Sequence, residues 1–484
     1  MKAFALLSSL VLILICRPAN AAASVTACTG FVDVSVVDTA APRIQSHRTV
    51  IVRGERIEGV FPAAHAIPSD CLRIAGQGRF LIPGLTDSHV HLFGYSRGGE
   101  GDPATEGAIL RMLLANGVTT AVIMEGSPAT LYLRNEIRAG RIFGPTLYSA
   151  GPLIQAPNTG ELPGRRTFET TDEVTHEVEE EKRLGYDFVK VHGAMPAETY
   201  AALLATARGE GLPVVGHIPD NLGVEAALDG GQKMIAHAES YLQTYFEFHR
   251  QLPTKPAEID AMVRKVAAAS ARSGVYVQPT LSVFRQIISQ VADADALLQR
   301  PEMRLLAPVA IRDWLPQRNP YLHHWSYANL DHLKAEYRVM QRLVLGLRDA
   351  GVPLLVGTDD MVPMQLPGFA VHEEMEEMEE AGLTPFEVLK AATATSARFL
   401  GRQGHSGAVR AGYDADLVLL DANPLEDIAN VFRQAGLMVH GRWLAEACLQ
   451  RALWERSAPA SSILSPFLAP PPCYPTATQS SRQD

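Results

Sequence analysis

The sequence predicts an α/β protein: a (β/α)8 barrel of the TIM type, flanked by a small composite β-sandwich drawn from both chain ends. Three observations carry that expectation. Apolar, β-branched runs recur eight times between residues 80 and 358, most followed by a stretch of helical periodicity. Period-two, β-rich texture appears before that region and returns after it. The 484-residue chain is too long for one small domain and suits a large barrel with a minor one.

Residues 1–23 read as a secretory signal peptide. Lys2 precedes a mostly apolar run at 3–15, then Arg17-Pro18 and the small residues Ala19-Asn20-Ala21-Ala22-Ala23. The run is too short to span a bilayer and has no polar face of the kind a core helix shows. A lipid anchor at Cys16 fits less well, because Ile15 stands where a small residue is expected. The expected location is secreted or periplasmic, without stable membrane insertion once the segment is removed.

Residues 24–80 form the first part of the expected sandwich. Val32-Asp33-Val34-Ser35-Val36-Val37 alternates like a half-buried strand, and Val50-Ile51-Val52-Arg53 meets a turn at Gly54. The barrel is expected over 81–400. Its strands are predicted at 80–85, 119–124, 146–150, 187–192, 213–217, 233–237, 275–280 and 353–358, with helices such as 198–208, 223–227 and 258–270 between them. The stretch 300–330, rich in Pro, aromatics and His, reads as an inserted loop or lid. The acidic run 373–380, with Met375 and Met378 at helical spacing, reads as a helix with a solvated face. Residues 401–455 return to β texture at Ala415-Asp416-Leu417-Val418 and Leu437-Met438-Val439, and 456–484 reads as a disordered tail.

Charge and composition exclude several roles. Hydrophobic residues make up 47% and charged residues 20%, a globular balance. A formal net charge of −10, with no cluster of Lys and Arg, argues against nucleic acid. A small-molecule substrate is the expected partner, and a homo-oligomer stays open. No cysteine has zinc-like spacing; Cys28 and Cys71 share the first β-rich stretch and are open to pairing in an oxidising compartment.

The sharpest chemical signal is Thr86-Asp87-Ser88-His89-Val90-His91. In an extended chain alternate residues face one way, so His89 and His91 aim together at a strand's C-terminal end, suited to a divalent metal. Four more ligand-type residues stand at the ends of later predicted strands: Lys190, His217, His237 and Asp359. Alone, each suits a structural role. In a (β/α)8 barrel all six share the face where active sites are built.

Together with Pro83-Gly84-Leu85, Gly117-Val118-Thr119-Thr120, Gly216-His217, Gly357-Thr358-Asp359 and Ala415-Asp416-Leu417-Val418, these residues resemble the metal-dependent amidohydrolase superfamily, in particular its imidazolonepropionase-like and Xaa-Pro dipeptidase-like branch. The resemblance spans about residues 30 to 445. It implies a hydrolase in which two divalent ions, zinc by default, activate a water toward a C–N bond. His89 and His91 would bind one ion, and His217 and His237 the other. A carboxylated Lys190 would bridge them. Asp359 would bind the first ion and shuttle the proton. Tyr241, read as lying in the loop after His237, would donate to the tetrahedral oxygen or form an aromatic wall. His192 would contact substrate. Where many members carry an Arg-Asp pair after the Gly-Val-Thr-Thr strand, this chain has Met124-Glu125. Dipeptides or N-acyl amino acids are the expected substrates; cyclic amides or lactones are an alternative. So is a catalytically silent binding barrel, which the intact ligand set disfavours. Loops 93–101 and 300–330 would shape the pocket.

Overall fold

The computed structural model describes residues 27–92, 103–156, 165–246 and 255–454. The expected signal peptide, the 93–101 loop and the tail at 456–484 lie outside these.

Both chain ends combine in one eight-stranded mixed sheet. Its strands are β1 (Cys28–Asp38), β2 (Arg43–Arg53), β3 (Arg56–Pro62), β4 (Cys71–Ala75) and β5 (Phe80–Pro83) from the N-terminal side. The C-terminal side adds β14 (Leu417–Leu420), β15 (Gln434–Val439) and β16 (Arg442–Ala445). The order is β16-β15-β14-β5-β1-β2-β3, with β4 pairing β1. In that pairing Cys28 lies opposite Cys71, and the two form a disulfide. Phe31, Val34, Val50, Leu81, Leu417 and Met438 share the core of this sheet. Ile82, Val418 and Leu437 pack toward the barrel instead, as period-two alternation requires of a sheet covered on two sides.

The barrel strands are β6 (Leu85–Val90), β7 (Val118–Ile123), β8 (Thr146–Gln155), β10 (Phe188–Val191), β11 (Val214–Gly216), β12 (Met234–Ala236) and β13 (Tyr276–Gln278); the short β9 (Arg165–Thr167) pairs β8. All their pairings are parallel, in the order β13-β12-β11-β10-β8-β7-β6. The eighth position belongs to residues 353–359. This segment is not a regular strand, yet it joins both edges. Val277 N donates to Pro353 O at 3.0 Å and Ser88 N to Val356 O at 3.0 Å, while Asp359 N donates to His89 O at 2.9 Å. Inside, Val122, Phe188, Val215, Met234, Tyr276 and Leu355 form a packed core.

The expected first strand, 80–85, is in fact divided. Residues 80–83 join the flanking sheet, and the barrel begins at Leu85. The step is at Gly84, whose N–H donates to Asp416 O at 2.8 Å while Leu85 N donates to Gly117 O at 2.9 Å. A Cβ at Gly84 would sit 2.0 Å from Thr119 Oγ1, so only glycine lets the chain pass between sheets here.

Local signals set the helices. Helix Thr171–Leu184 opens with a capping box between Thr170 and Glu173 and ends at left-handed Gly185; it buries Val174 and Val178 against the barrel. Residues 300–330 are anchored rather than a free lid. Met303, Leu306 and Trp314 are buried, Asn319 Nδ2 donates to Gln290 Oε1 at 2.6 Å, and Arg300 pairs with Glu373 at 2.9 Å. The acidic helix Phe369–Glu380 also departs from a wholly solvated face. Glu374 is buried and accepts from Ser282 N at 2.7 Å, which tethers the helix to Leu281–Leu298.

Candidate metal centre

The strand ends bring all six expected ligands together around one buried point. Asp359 Oδ1 lies 3.0 Å from His89 Nε2 and 2.9 Å from His91 Nε2, and Asp359 Oδ2 lies 4.0 Å from His237 Nε2. Ligand atoms of His89, His237 and Asp359 all fall within 4.8 Å of one another. Lys190 Nζ lies 3.4 Å from His89 Nε2. Lys190 shares a face with Phe188, two residues back, which places it at the top of the packed interior. The His217 ring centroid is 4.6 Å from that of His237 and 4.3 Å from that of His192. The backbone is strained where ligands are presented: φ is 69° at His237, 53° at Asp359 and 48° at Thr280.

Two hydrogen-bond chains determine which imidazole nitrogen faces the centre. His89 Nδ1 lies 2.6 Å from Gln278 Oε1; Gln278 Nε2 donates to Ser88 Oγ at 2.5 Å, and Ser88 Oγ donates to Val356 O at 2.6 Å. An amide oxygen only accepts, so His89 carries its proton on Nδ1 and turns the Nε2 lone pair inward. His237 follows the same rule. Its Nδ1 lies 2.6 Å from Thr280 Oγ1, whose own proton goes to Pro279 O at 2.8 Å. His237 Nε2 therefore also presents a lone pair. Gln278 and Thr280 went unnoticed in the sequence, although both sit at the end of the 275–280 run, where the strand-end criterion could have found them.

This donor set fits a cation. His89 Nε2 and Asp359 Oδ1 face each other at 3.0 Å with a lone pair on each side. Burial, reinforced by Lys190, lowers His89 to about 3, so no proton bridges them at neutral pH. Burial also lowers His237 to about 4 and His217 well below its usual range. His217 Nδ1 is buried without a hydrogen-bond partner among the described residues. Neutral imidazoles are what a divalent metal ligates. Asp359 stays ionised: burial works against its charge, but His89, His91 and His237 outweigh it and hold the carboxyl well below the usual range. Burial would lower His91 as well, but its bonds to Asp359 and Glu125 prevail and lift it to about 9. Glu125 Oε2 lies 3.6 Å from His91 Nδ1, so the residue that replaces an expected Arg-Asp pair borders the centre.

Two buried carboxyls brace the ligand backbones from below. Asp87 accepts from His89 N at 3.0 Å and from Thr358 Oγ1 at 2.7 Å, and Asp360 Oδ1 accepts from His91 N at 2.7 Å. Burial raises Asp87 to about 7 and Asp360 well above its usual value.

Tyr241 does not join the cluster. Residues after His237 form the helix Ala238–Phe246 rather than a loop. That helix turns the Tyr241 hydroxyl to Ser270 Oγ at 3.0 Å, inside the layer against helix Pro256–Ser273. The side chain is fully buried among apolar residues and cannot reach an oxygen at the strand ends.

In parallel barrels the active site is built at the C-terminal rim, where this His, Asp and Lys cluster lies. The amidohydrolase family model matches residues 80–444, and the chain belongs to that family. The ochratoxinase of Aspergillus niger is 25% identical over 412 residues, which cover 74% of this chain and 74% of that one. A putative prolidase from Bifidobacterium longum superposes with a TM-score of 0.66 at 25% identity, over 87% of this chain and 95% of that one. A Xaa-Pro dipeptidase with methionine bound in its active site superposes with a TM-score of 0.66 at 18% identity, over 87% of this chain and all of the other, and shows the same fold.

Proposed function

We propose that this chain is an exported, metal-dependent amidohydrolase that hydrolyses amide-type C–N bonds in small substrates such as dipeptides or N-acyl amino acids. The observation that carries the reading is the convergence of His89, His91, Lys190, His217, His237 and Asp359 on one buried point, with two imidazole lone pairs directed inward by Gln278 and Thr280. The similarity to dipeptidase and prolidase structures supports the substrate class. The Cys28–Cys71 disulfide is of a kind that persists in oxidising compartments, which supports export.

In this reading His89, His91 and Asp359 would hold one divalent ion, and His217 and His237 the second, with a carboxylated Lys190 as a further ligand. Burial lowers Lys190 to about 8, against the pull of Asp359 and Glu125, so a usable fraction of free amine exists near neutrality. That amine adds to the carbon of CO2 and loses a proton, leaving a carbamate with two ligand oxygens. Bound divalent ions, zinc by default, would polarise the scissile carbonyl and acidify the attacking water. Asp359, held ionised, accepts the proton of that water and returns it to the leaving nitrogen. His192, beside His217, contacts substrate.

The test is metal analysis of the protein together with a dipeptide and N-acyl amino acid library, repeated on Lys190→Ala and Asp359→Ala. About two divalent ions per chain are expected, with turnover lost by a factor of roughly a thousand or more in Asp359→Ala. Full activity in both variants would overturn the assignment.

A further inference from the structure

A second polar feature lies at the opposite end of the barrel. A cavity of about 420 Å³ opens where the N-terminal ends of β6, β7 and β8 meet the flanking sheet, within the size range of small-molecule sites. Five arginines line it: Arg56, Arg134, Arg138, Arg402 and Arg442. They face three acids, Glu55, Asp414 and Asp416. In a chain of net charge −10 this is a local reversal of sign.

The acids are largely committed. Asp414 takes Arg56 at 2.5 Å and Arg402 at 3.0 Å. Asp416 accepts from His440 N at 2.7 Å, and burial raises its pKa. Arg134 is 7% exposed and gives Nη1 to Asp187 at 2.7 Å. Donor capacity is left over elsewhere. Arg138 and Arg442 form no ion pair among the described residues. The half-buried Tyr148 hydroxyl, also on the wall, lies within electrostatic reach of Arg402 and Arg138 and of Asp187 and Asp414, and has no bonded partner among the described residues. Guanidinium groups present paired N–H donors that match the oxygens of phosphate or carboxylate.

We propose that this cavity binds a small oxyanion, phosphate- or carboxylate-bearing, held by Arg138 and Arg442 with the Tyr148 hydroxyl as a further donor. Such a ligand would bridge barrel and sheet, so its binding adds stability by mass action.

The experiment titrates the full chain with inorganic phosphate and separately with citrate, at ionic strength held constant with KCl, following Tm and calorimetric heat. Three proteins are compared: native, the double variant Arg138→Gln plus Arg442→Gln, and Asp359→Ala. A saturable Tm rise with either anion is expected, weakened at least tenfold in the double variant and retained in Asp359→Ala, with hydrolysis by the double variant unchanged. Response to phosphate alone identifies a phosphate ligand, to citrate alone a carboxylate ligand, and to both the shared chemistry. No saturable response, an undiminished one in the double variant, or one lost only in Asp359→Ala overturns the proposal; the last assigns the anion to the metal centre. Both arginines are exposed, and Arg138→Gln alone gives the same reading should the pair disturb folding.

Discussion

The two ends of the barrel solve opposite electrostatic problems with different side chains. At the C-terminal rim the polar groups are imidazoles, one lysine and carboxylates; His89, His91, Lys190 and His237 are buried, and the inward lone pairs of His89 and His237 lie beside Asp359. At the N-terminal end they are guanidinium groups, those of Arg56, Arg138 and Arg442 on exposed residues, and part of their positive charge is met by Asp414 and Asp187. Imidazole can be made neutral by burial and so serve a cation; guanidinium remains charged and so serves an anion. The comparison teaches that one set of parallel strands offers sites of opposite sign, chosen by which ionisable group burial can neutralise.

Substitutions at three positions sharpen this contrast, beginning with the largest effect. Gln278→Leu removes the acceptor that keeps the His89 proton on Nδ1. Metal affinity, measured by chelator competition, should fall roughly 10- to 100-fold. Gln278→Glu keeps an acceptor for Nδ1–H and should restore most of it. Equal metal affinity in all three proteins would show that the chain to Val356 only packs and does not direct the lone pair.

Gly84→Ala probes the junction between the two ends. Its new methyl meets Thr119 Oγ1 at 2.0 Å where the chain steps from sheet to barrel. Chemical denaturation should show a loss of about 1–3 kcal/mol. An unchanged midpoint would mean that the step tolerates a side chain, and the close approach would no longer explain the glycine.

The smallest effect concerns an imidazole far from the cluster. His372 is buried with Nε2 donating to Asn116 O at 3.0 Å, and burial lowers it from 6.5 to about 3. A folded-state value below the unfolded one means the unfolded chain gains the proton first. The associated stability is therefore full above about 6.5 and is lost as pH falls from there toward about 3. Between about pH 7.5 and 5.5 the native protein should lose on the order of 1 kcal/mol more than His372→Gln, whose amide can still donate to Asn116. Parallel stability curves for the two proteins would show that His372 does not contribute this slope.

Much of the candidate site was legible because strands impose simple rules. Period-two alternation aimed His89 and His91 together, and the C-terminal-end rule of parallel barrels collected Lys190, His217, His237 and Asp359. Tyr241 was misread because helix Ala238–Phe246 starts directly after His237, and four residues along a helix point elsewhere than four along a loop. Gln278 and Thr280 act only through His89 and His237, so their residue types carry no ligand signal. The eighth strand was placed correctly along the chain, but its irregular bonding to β6 and β13 depends on both neighbours at once.

Alternating apolar runs, helical periodicity and the order of ligand-type residues by themselves determined a barrel, its flanking sheet and the rim that gathers the histidines. These are properties of neighbouring residues, readable one segment at a time. Tertiary structure alone decided the switch of sheets at Gly84, the inward lone pairs of His89 and His237, and the placing of Arg138 and Arg442, some 300 residues apart, around one cavity. Each of those depends on contacts between segments distant in the chain, where close packing and the direction of a hydrogen bond, rather than local pattern, choose the outcome.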